Sequence, residues 1–187
     1  DLLCARINSA RMVSPKDRKV DIPIKGGFVG MVDRDVFDEW LRDRAAKAGA
    51  DWIRGTFETL GRDADGTATI SYCPKADTER TETVRARVVI GADGARSKVG
   101  KQAGIKGAEN VKCVFAYHEI VEAPETKESG GVYDGARCDV YYQGELSPDF
   151  YAWIFPHGKS ASIGTGSANQ GFSLRGSVGD LRRATGL

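Results

Sequence analysis

Residues 87–99 read Arg87-Val88-Val89-Ile90-Gly91-Ala92-Asp93-Gly94-Ala95-Arg96-Ser97-Lys98-Val99. The apolar run predicts a strand, the Gly-Ala-Asp-Gly group predicts a tight turn, and the residues after it begin a helix. Gly94 allows a close approach of the backbone to a ligand. Amides at a helix start suit a pyrophosphate, and the Arg96 guanidinium adds a phosphate-binding fork. Asp93 either accepts hydrogen bonds from ligand hydroxyls or caps an ordinary strand-to-helix turn, and the spacing leaves both open.

The segment before this turn predicts one helix and a meander of three strands. Apolar residues recur at three- and four-residue steps over residues 34–48, which indicates an amphipathic helix with Asp33 as a candidate cap. Its apolar stripe consists of Phe37, Trp40, Leu41, Ala45 and Ala48. Arg34 in its first turn either reaches a ligand phosphate or is a solvated surface charge. Strands follow, with a hairpin turn at residues 63–66, Asp-Ala-Asp-Gly.

After residue 106 the pattern changes to long strands, and aromatic residues concentrate in the stretch Phe150-Tyr151-Ala152-Trp153-Ile154-Phe155-Pro156. Successive side chains of a strand point to opposite faces, so Tyr151, Trp153 and Phe155 should share one face. Phe150 and Ile154 should take the other. The three aromatic side chains suit a wall for a long apolar or planar ligand, and a packed sheet core is the alternative. Gly164-Thr165-Gly166 follows, where a backbone can pass close to a ring.

Composition excludes several classes of protein. The 187 residues are 41% hydrophobic and 28% charged, which is typical of a globular chain. Twenty-seven basic and 26 acidic residues give a net charge of +1, which does not suggest a nucleic-acid partner. No run approaches the roughly 18–20 apolar residues of a membrane-spanning helix. Cysteines at positions 4, 73, 113 and 138 form no Cys-x-x-Cys pair, so we expect no metal site and four reduced, mostly buried thiols.

Together these features resemble the FAD-dependent geranylgeranyl reductase family. Residues 91–97 are similar to the second flavin motif of hydroxylase-like flavoproteins, and residues 32–50 resemble the helix entry of the geranylgeranyl reductases. Tyr151-x-Trp153-x-Phe155-Pro156, followed by Gly164-x-Gly166, is similar to the substrate-site signature of the family. Residues 113–119 and 139–142 resemble its chlorophyll and bacteriochlorophyll branch. Ala152 departs from the pattern, which has glycine at that position.

The resemblance implies an α+β flavoprotein of the hydroxylase-like type that reduces a geranylgeranyl group to phytyl. The substrate would be a prenylated pigment of the (bacterio)chlorophyll type or a prenyl diphosphate, and NADPH would supply electrons. Arg34, Asp93 and Gly94 would contact FAD, whereas Tyr151, Trp153 and Phe155 would line the substrate tunnel. No catalytic residue is assigned. The expected location is the cytoplasm, with peripheral association at the photosynthetic membrane as a variant of it.

The resemblance also divides the chain. Residues 1–30 would supply the first strands of the substrate domain, residues 31–105 part of the FAD-binding domain, and residues 106–187 the substrate-binding domain with its mostly antiparallel sheet. No Gly-x-Gly-x-x-Gly follows an early strand. We therefore expect the middle of a longer enzyme, inactive alone and weak in FAD binding. An FAD-dependent aromatic hydroxylase of the same fold and a non-catalytic prenyl-lipid or pigment binder are the competing interpretations.

Overall fold

A computed structural model describes residues 2–124 and 132–187. The polar residues of 122–131 predict a loop, and most of that segment lies outside the described residues. The chain splits into two compact units: Asp1–Leu41 with Val114–Leu187 form unit 1, and Arg42–Cys113 form unit 2. In chain order the elements are β1 (Leu3–Ile7), β2 (Ser9–Val13), β3 (Lys19–Pro23), β4 (Val29–Val32), α1 (Arg34–Lys47), β5 (Gly55–Arg62), β6 (Ala68–Pro74), β7 (Glu82–Ala86), α2 (Lys98–Gln102), β8 (Phe115–Glu122), β9 (Arg137–Tyr141), β10 (Ala152–His157), β11 (Ser160–Ser167) and α3 (Leu174–Thr185).

Unit 1 is built on a six-stranded sheet with the strand order β3-β2-β9-β10-β11-β8. Its pairs are antiparallel except for β2 and β9, which run parallel. Strands from the first thirty residues therefore join the sheet of the later segment, and the predicted α+β class with a mostly antiparallel sheet is confirmed. β1 instead pairs with β4 in a separate two-stranded sheet.

One face of the large sheet carries the core of unit 1. Ile154 on β10 pairs with Ile163 on β11, and both are almost fully buried. Helix α3 packs against β8 and β11 and contributes Val178 and Leu181 to the same core. Burial of such aliphatic side chains stabilises the fold by roughly 1.5–3 kcal/mol each.

Unit 2 contains the predicted meander, in which β5, β6 and β7 pair antiparallel in sequence order. The hairpin turn forms where it was predicted. Gly66 adopts a φ of 84°, which favours glycine, and the Asp65 carboxylate accepts a hydrogen bond from the Thr67 amide at 2.9 Å. Gln102 of α2 holds the helix to β5, because its side chain bonds backbone groups of Leu60 and Glu58 at 2.7 and 2.9 Å.

Three sequence predictions are corrected by the structure. Residues 87–90 form no strand: β7 ends at Ala86, and Val88 and Ile90 are 75% and 86% exposed. A strand needs a neighbour for its backbone groups, and no strand among residues 2–124 and 132–187 pairs with this segment. The strand expected from Val111 begins only at Phe115. The four free cysteines are half-buried rather than mostly buried.

Helix α1 is confirmed in position, but its predicted apolar stripe is not buried within the described residues. Trp40 and Leu41 remain 40% and 43% exposed, and no residue of this helix is buried within the described structure. Phe37 and Trp40 stack on each other with ring centroids 5.9 Å apart. The periodicity therefore predicted the helix correctly. In the part of the chain that the structure describes, no helix has the length and apolar character to cross a membrane.

Candidate functional site

A continuous row of aromatic rings lies on the sheet face opposite the core. Tyr151 contacts Trp153 edge to face with centroids 5.9 Å apart, and Trp153 stacks on Phe155 at the same distance. β10 alternates strictly, so that Ala152 and Ile154 enter the core while Trp153 and Phe155 stay half-buried. The predicted shared face of the three aromatic residues is thus present in the geometry. Their role as a substrate wall stays a prediction.

Phe150 corrects one part of the predicted alternation. Ile154 packs away from the aromatic row, as expected, but the Phe150 ring stacks on Tyr151 with centroids only 4.1 Å apart. The reason is that β10 begins at Ala152, so Phe150 lies in the preceding bend, where strand alternation does not apply. Tyr142 adds a further ring, edge to face with Tyr151 at 6.1 Å.

Glycines on β11 create the space in which these rings lie. A methyl group on Gly164 would overlap the Trp153 indole and would lie 2.8 Å from Cβ of His118. A methyl group on Gly166 would lie 2.8 Å from the Phe150 ring and 2.9 Å from Val114. The Gly164-x-Gly166 pattern therefore lets the protein's own rings pass close to the backbone. The row is a preformed apolar surface, which suits a ligand without polar groups.

Polar contacts fix the middle of the row. The Trp153 indole donates a hydrogen bond to the Ser162 hydroxyl at 3.2 Å, and Nδ1 of His118 lies 3.0 Å from the same oxygen. The register of β8 and β11 explains the contact, since His118 is paired with Gly164 beside Trp153. Sequence reasoning missed His118 and Ser162, because their approach depends on a strand register that no local pattern reveals. The only sequence signal for this contact was that Ser162 lies two residues before Gly164, which places both on the same face of one strand.

Asp93 serves the start of α2 in the present structure. Its carboxylate accepts hydrogen bonds from the Ser97 hydroxyl at 2.5 Å and from the Val99 amide at 3.1 Å. The Ser97 hydroxyl, followed by the Val99 amide, lowers the pKa of Asp93 below its usual value. Ser97 in turn caps the helix by accepting from the Gly100 amide at 2.8 Å. The structure therefore fits the interpretation that Asp93 caps the strand-to-helix turn. Because the carboxylate is exposed, its oxygens can accept further hydrogen bonds.

Gly94 and Arg34 occupy different units. Gly94 has a φ of 83°, and no atom lies within 4 Å of the place where a Cβ would be, so its backbone is open to an approaching group. Arg34, at the first position of α1, forms a two-pronged ion pair with Asp38 at 2.6 and 2.7 Å. Its side chain is 78% exposed. The surface-charge interpretation of Arg34 thus fits the structure, and its contact with a flavin stays a prediction.

Comparison with known proteins connects this chain to flavoproteins. Residues 6–144 match the family described as FAD binding domain. The chain is 51% identical over 186 residues to the geranylgeranyl diphosphate reductase of Rhodobacter capsulatus, covering 100% of this chain and 46% of that protein. It is 33% identical over 181 residues to the chloroplastic geranylgeranyl diphosphate reductase of Oryza sativa, covering 89% of this chain and 37% of that protein.

A solved structure gives the same relation. The geranylgeranyl bacteriochlorophyll reductase-like protein of Thermoplasma acidophilum superimposes with a TM-score of 0.79 at 25% identity, covering 97% of this chain and 46% of that one. The chain thus spans less than half the length of these three proteins. The aromatic row and the Gly-x-Asp-Gly turn both lie inside the region aligned with the Rhodobacter capsulatus protein, whereas the FAD binding domain match ends at residue 144.

Proposed function

Because the chain belongs to the geranylgeranyl reductase family of FAD-binding proteins, we propose that it is part of an enzyme that saturates double bonds of a geranylgeranyl group. The single observation that supports this most directly is the aromatic row on the sheet face opposite the core. An isolated alkene offers no polar group for recognition, so its position must be set by apolar contacts. A row of rings along one strand provides such contacts over the length of a prenyl chain.

FAD is the cofactor of this proposal, and the residues of the chain fit it. The open backbone at Gly94 admits a bulky ligand, and the exposed Asp93 carboxylate can accept hydrogen bonds from ligand hydroxyls. Arg34 presents an exposed guanidinium suited to an anionic group, although it must share that group with Asp38. Reduced FAD, when bound, would supply a hydride to one alkene carbon, a proton would be added at the other carbon, and NADPH is the proposed source of electrons.

The chain's own residues orient the substrate and limit its freedom. Tyr151, Trp153 and Phe155 hold the tail, and Ser162 keeps the Trp153 indole in one orientation. Gly164 allows that ring to lie against the strand. A tail held in one position converts a poor hydride acceptor into a correctly placed one, and placement of this kind lowers the barrier by several kcal/mol, roughly 7–11 in the best cases.

The proposed acceptor is a pigment ester of the chlorophyll or bacteriochlorophyll type, or free geranylgeranyl diphosphate. A pigment substrate would bring the protein to the surface of a photosynthetic membrane. The net charge of only +1 does not suggest a nucleic-acid partner.

The test is a reaction of the full-length protein with each acceptor under anaerobic conditions, with NADPH as reductant. We expect a flavin absorption spectrum, loss of NADPH absorbance, and products heavier by two hydrogens for each double bond reduced. Activity with only one acceptor would identify that acceptor.

Different outcomes would support the competing functions. An aromatic hydroxylase would consume oxygen and give a product heavier by one oxygen atom, with no reaction under anaerobic conditions. A non-catalytic prenyl-lipid or pigment binder would bind the acceptor without a flavin spectrum and without NADPH oxidation. Either result would contradict the proposed reduction.

A further inference from the structure

Three side chains that sequence reasoning did not connect meet at one point of unit 1. Sγ of Cys4 on β1 lies 3.6 Å from Nδ1 of His157, at the end of β10. The same His157 nitrogen lies 3.5 Å from Oδ1 of Asp33, and the Cys4 sulfur lies 3.9 Å from that oxygen. One sulfur, one imidazole nitrogen and one carboxylate oxygen are therefore all within 4.8 Å of one another.

The two sulfur distances are within the range of weak thiol hydrogen bonds, but the separations are also close to those expected between ligands of one ion. An N–H to oxygen hydrogen bond spans about 2.7–3.2 Å, so 3.5 Å between His157 and Asp33 is too long. Zinc bonds of about 2.3 Å to sulfur and about 2.0–2.2 Å to nitrogen and oxygen, at tetrahedral angles, separate the ligand atoms by roughly 3.3–3.6 Å. Two of the three observed separations match, and the third involves a carboxylate that is 60% exposed and can rotate.

We propose that Cys4, Asp33 and His157 form a binding site for a divalent, thiol-preferring cation such as Zn²⁺. The donor set of thiolate, imidazole and carboxylate is the one that zinc prefers. Three protein ligands leave a fourth position for water or for a nearby oxygen. The Met31 carbonyl oxygen, 3.2 Å from the Cys4 sulfur, is such an oxygen.

The fold holds the three ligands through features that are not local to any one of them. The pairing of β1 with β4 shifts register between Leu3 and Ala5, so Cys4 sits at the irregularity and faces Met31. Gly158 follows His157 with a φ of 71°, and a methyl group there would lie 2.6 Å from the Cys4 carbonyl oxygen. The turn after β10 can therefore approach β1 only because it carries glycine. Asp33 joins from the residue before α1.

Binding of a cation through sulfur requires the Cys4 thiol to lose its proton. A bound cation replaces that proton, which leaves to solvent, and its positive charge compensates the thiolate and the carboxylate. This site departs from the sequence expectation of no metal, which rested on the missing Cys-x-x-Cys spacing. It does not depend on the proposed reductase activity.

The experiment is a titration of the full-length, reduced protein with Co²⁺, which reports a thiolate ligand through a charge-transfer band and tetrahedral geometry through its visible bands. We expect a Co²⁺ signal that saturates and that Zn²⁺ displaces. Cys4→Ser should abolish the charge-transfer band of this site. His157→Gln and Asp33→Asn should each weaken Co²⁺ binding by at least about tenfold, since even the loss of groups that only orient ligands costs 10–100-fold.

Cys73→Ser is the matched control, because Cys73 is also half-buried but lies in unit 2 on β6. It should leave the Co²⁺ signal unchanged. Thermal unfolding adds a second measurement: Zn²⁺ should raise the melting temperature of the wild type and of Cys73→Ser, but not of Cys4→Ser. A wild type without a thiolate-to-cobalt band would overturn the proposal. So would a Cys4→Ser variant that keeps the full band, or unchanged affinity in both His157→Gln and Asp33→Asn.

Discussion

Gly164 is the residue on which the geometry of the aromatic row depends most directly. A side chain there would overlap the Trp153 indole and press on Cβ of His118, which is fixed to the backbone of β8 and cannot move aside. Overpacking of this kind typically costs about 1–3 kcal/mol. Gly164→Ala should therefore lower the unfolding free energy by that amount in urea denaturation, and it should displace the indole, which tryptophan fluorescence would report.

Gly144→Ala is the matched control for this substitution. No atom lies within 4 Å of the place where its Cβ would be, and its φ is outside the range that favours glycine. Its unfolding free energy should change by no more than about 0.5 kcal/mol. Equal effects of the two substitutions would contradict the role assigned to Gly164.

Because of Asp93, unit 2 should become less stable as the pH falls into the acidic range. Its folded-state pKa is lowered by the Ser97 hydroxyl and then by the Val99 amide, whereas the unfolded value is about 3.9. A lowered folded-state pKa means that the stabilisation is complete above the unfolded value and is lost as pH falls through the folded one. The difference in unfolding free energy between the wild type and Asp93→Asn should therefore become smaller as the pH falls through the folded-state pKa of Asp93. A direct NMR titration of Asp93 should give a midpoint below the unfolded value, and Ser97→Ala should raise that midpoint.

For single residues, the sequence predicts which face of a strand a side chain takes better than it predicts which side chains it contacts. Tyr151, Trp153 and Phe155 share a face because alternation is a local property of a strand. Ser162 and His118 could not be found in the same way, since their contact needs the register of β8 against β11. The same holds for Cys4, Asp33 and His157, which are brought together by three elements far apart in the chain.

Among the elements, β9 is unusual because it contains two buried charged residues, Arg137 and Asp139. Arg137 binds Asp139 two residues later at 2.6 and 3.1 Å, and both are buried. On the neighbouring β2, Arg11 pairs in register with Asp139 and binds Asp21 of β3 at 2.6 and 2.8 Å. The two ion pairs therefore differ mainly in depth, because Asp21 lies on the exposed edge strand.

The depth of each pair sets the expected cost of breaking it. Asp139→Ala leaves Arg137 buried without its main carboxylate and should destabilise the protein by about 3–5 kcal/mol. Asp21→Ala, the control, removes an exposed partner and should cost at most about 1 kcal/mol. Urea denaturation of both variants tests the difference. If Asp21→Ala lowered the unfolding free energy as much as Asp139→Ala does, burial would not determine the cost of breaking these ion pairs.

The elements that the sequence predicted correctly are those whose signals are local. The turn at residues 63–66 needs only its own glycine and aspartate, and α1 needs only its 3.6-residue period. The strand predicted for residues 87–90 was wrong because an apolar run does not specify which strand lies beside it. The described residues supply no strand that pairs with this segment. Likewise the apolar stripe of α1 does not specify what covers it, and Trp40 is 40% exposed.

For the whole molecule, the two candidate surfaces belong to separate compact units. The aromatic row lies in unit 1, whereas Asp93 and Gly94 lie in unit 2. If the row holds a substrate and the turn contacts FAD, substitutions in the two units should affect different measurements. Trp153→Ala should reduce turnover of a geranylgeranyl substrate in the full-length protein and leave flavin content nearly unchanged. Asp93→Ala should lower flavin content, and turnover only in proportion to it.

The alternative forecast comes from treating the aromatic row as ordinary core. Truncation of a buried aromatic costs about 3–5 kcal/mol, and a typical domain has only about 5–15 kcal/mol in reserve, so Trp153→Ala would then reduce the yield of folded protein and flavin together. Trp153 is only half-buried, which favours a smaller loss. Trp153→Phe is the matched variant: it keeps an apolar ring over Gly164 and should retain most of the turnover. Normal turnover in Trp153→Ala at normal flavin content would reject the substrate role, and loss of folded protein would favour core packing.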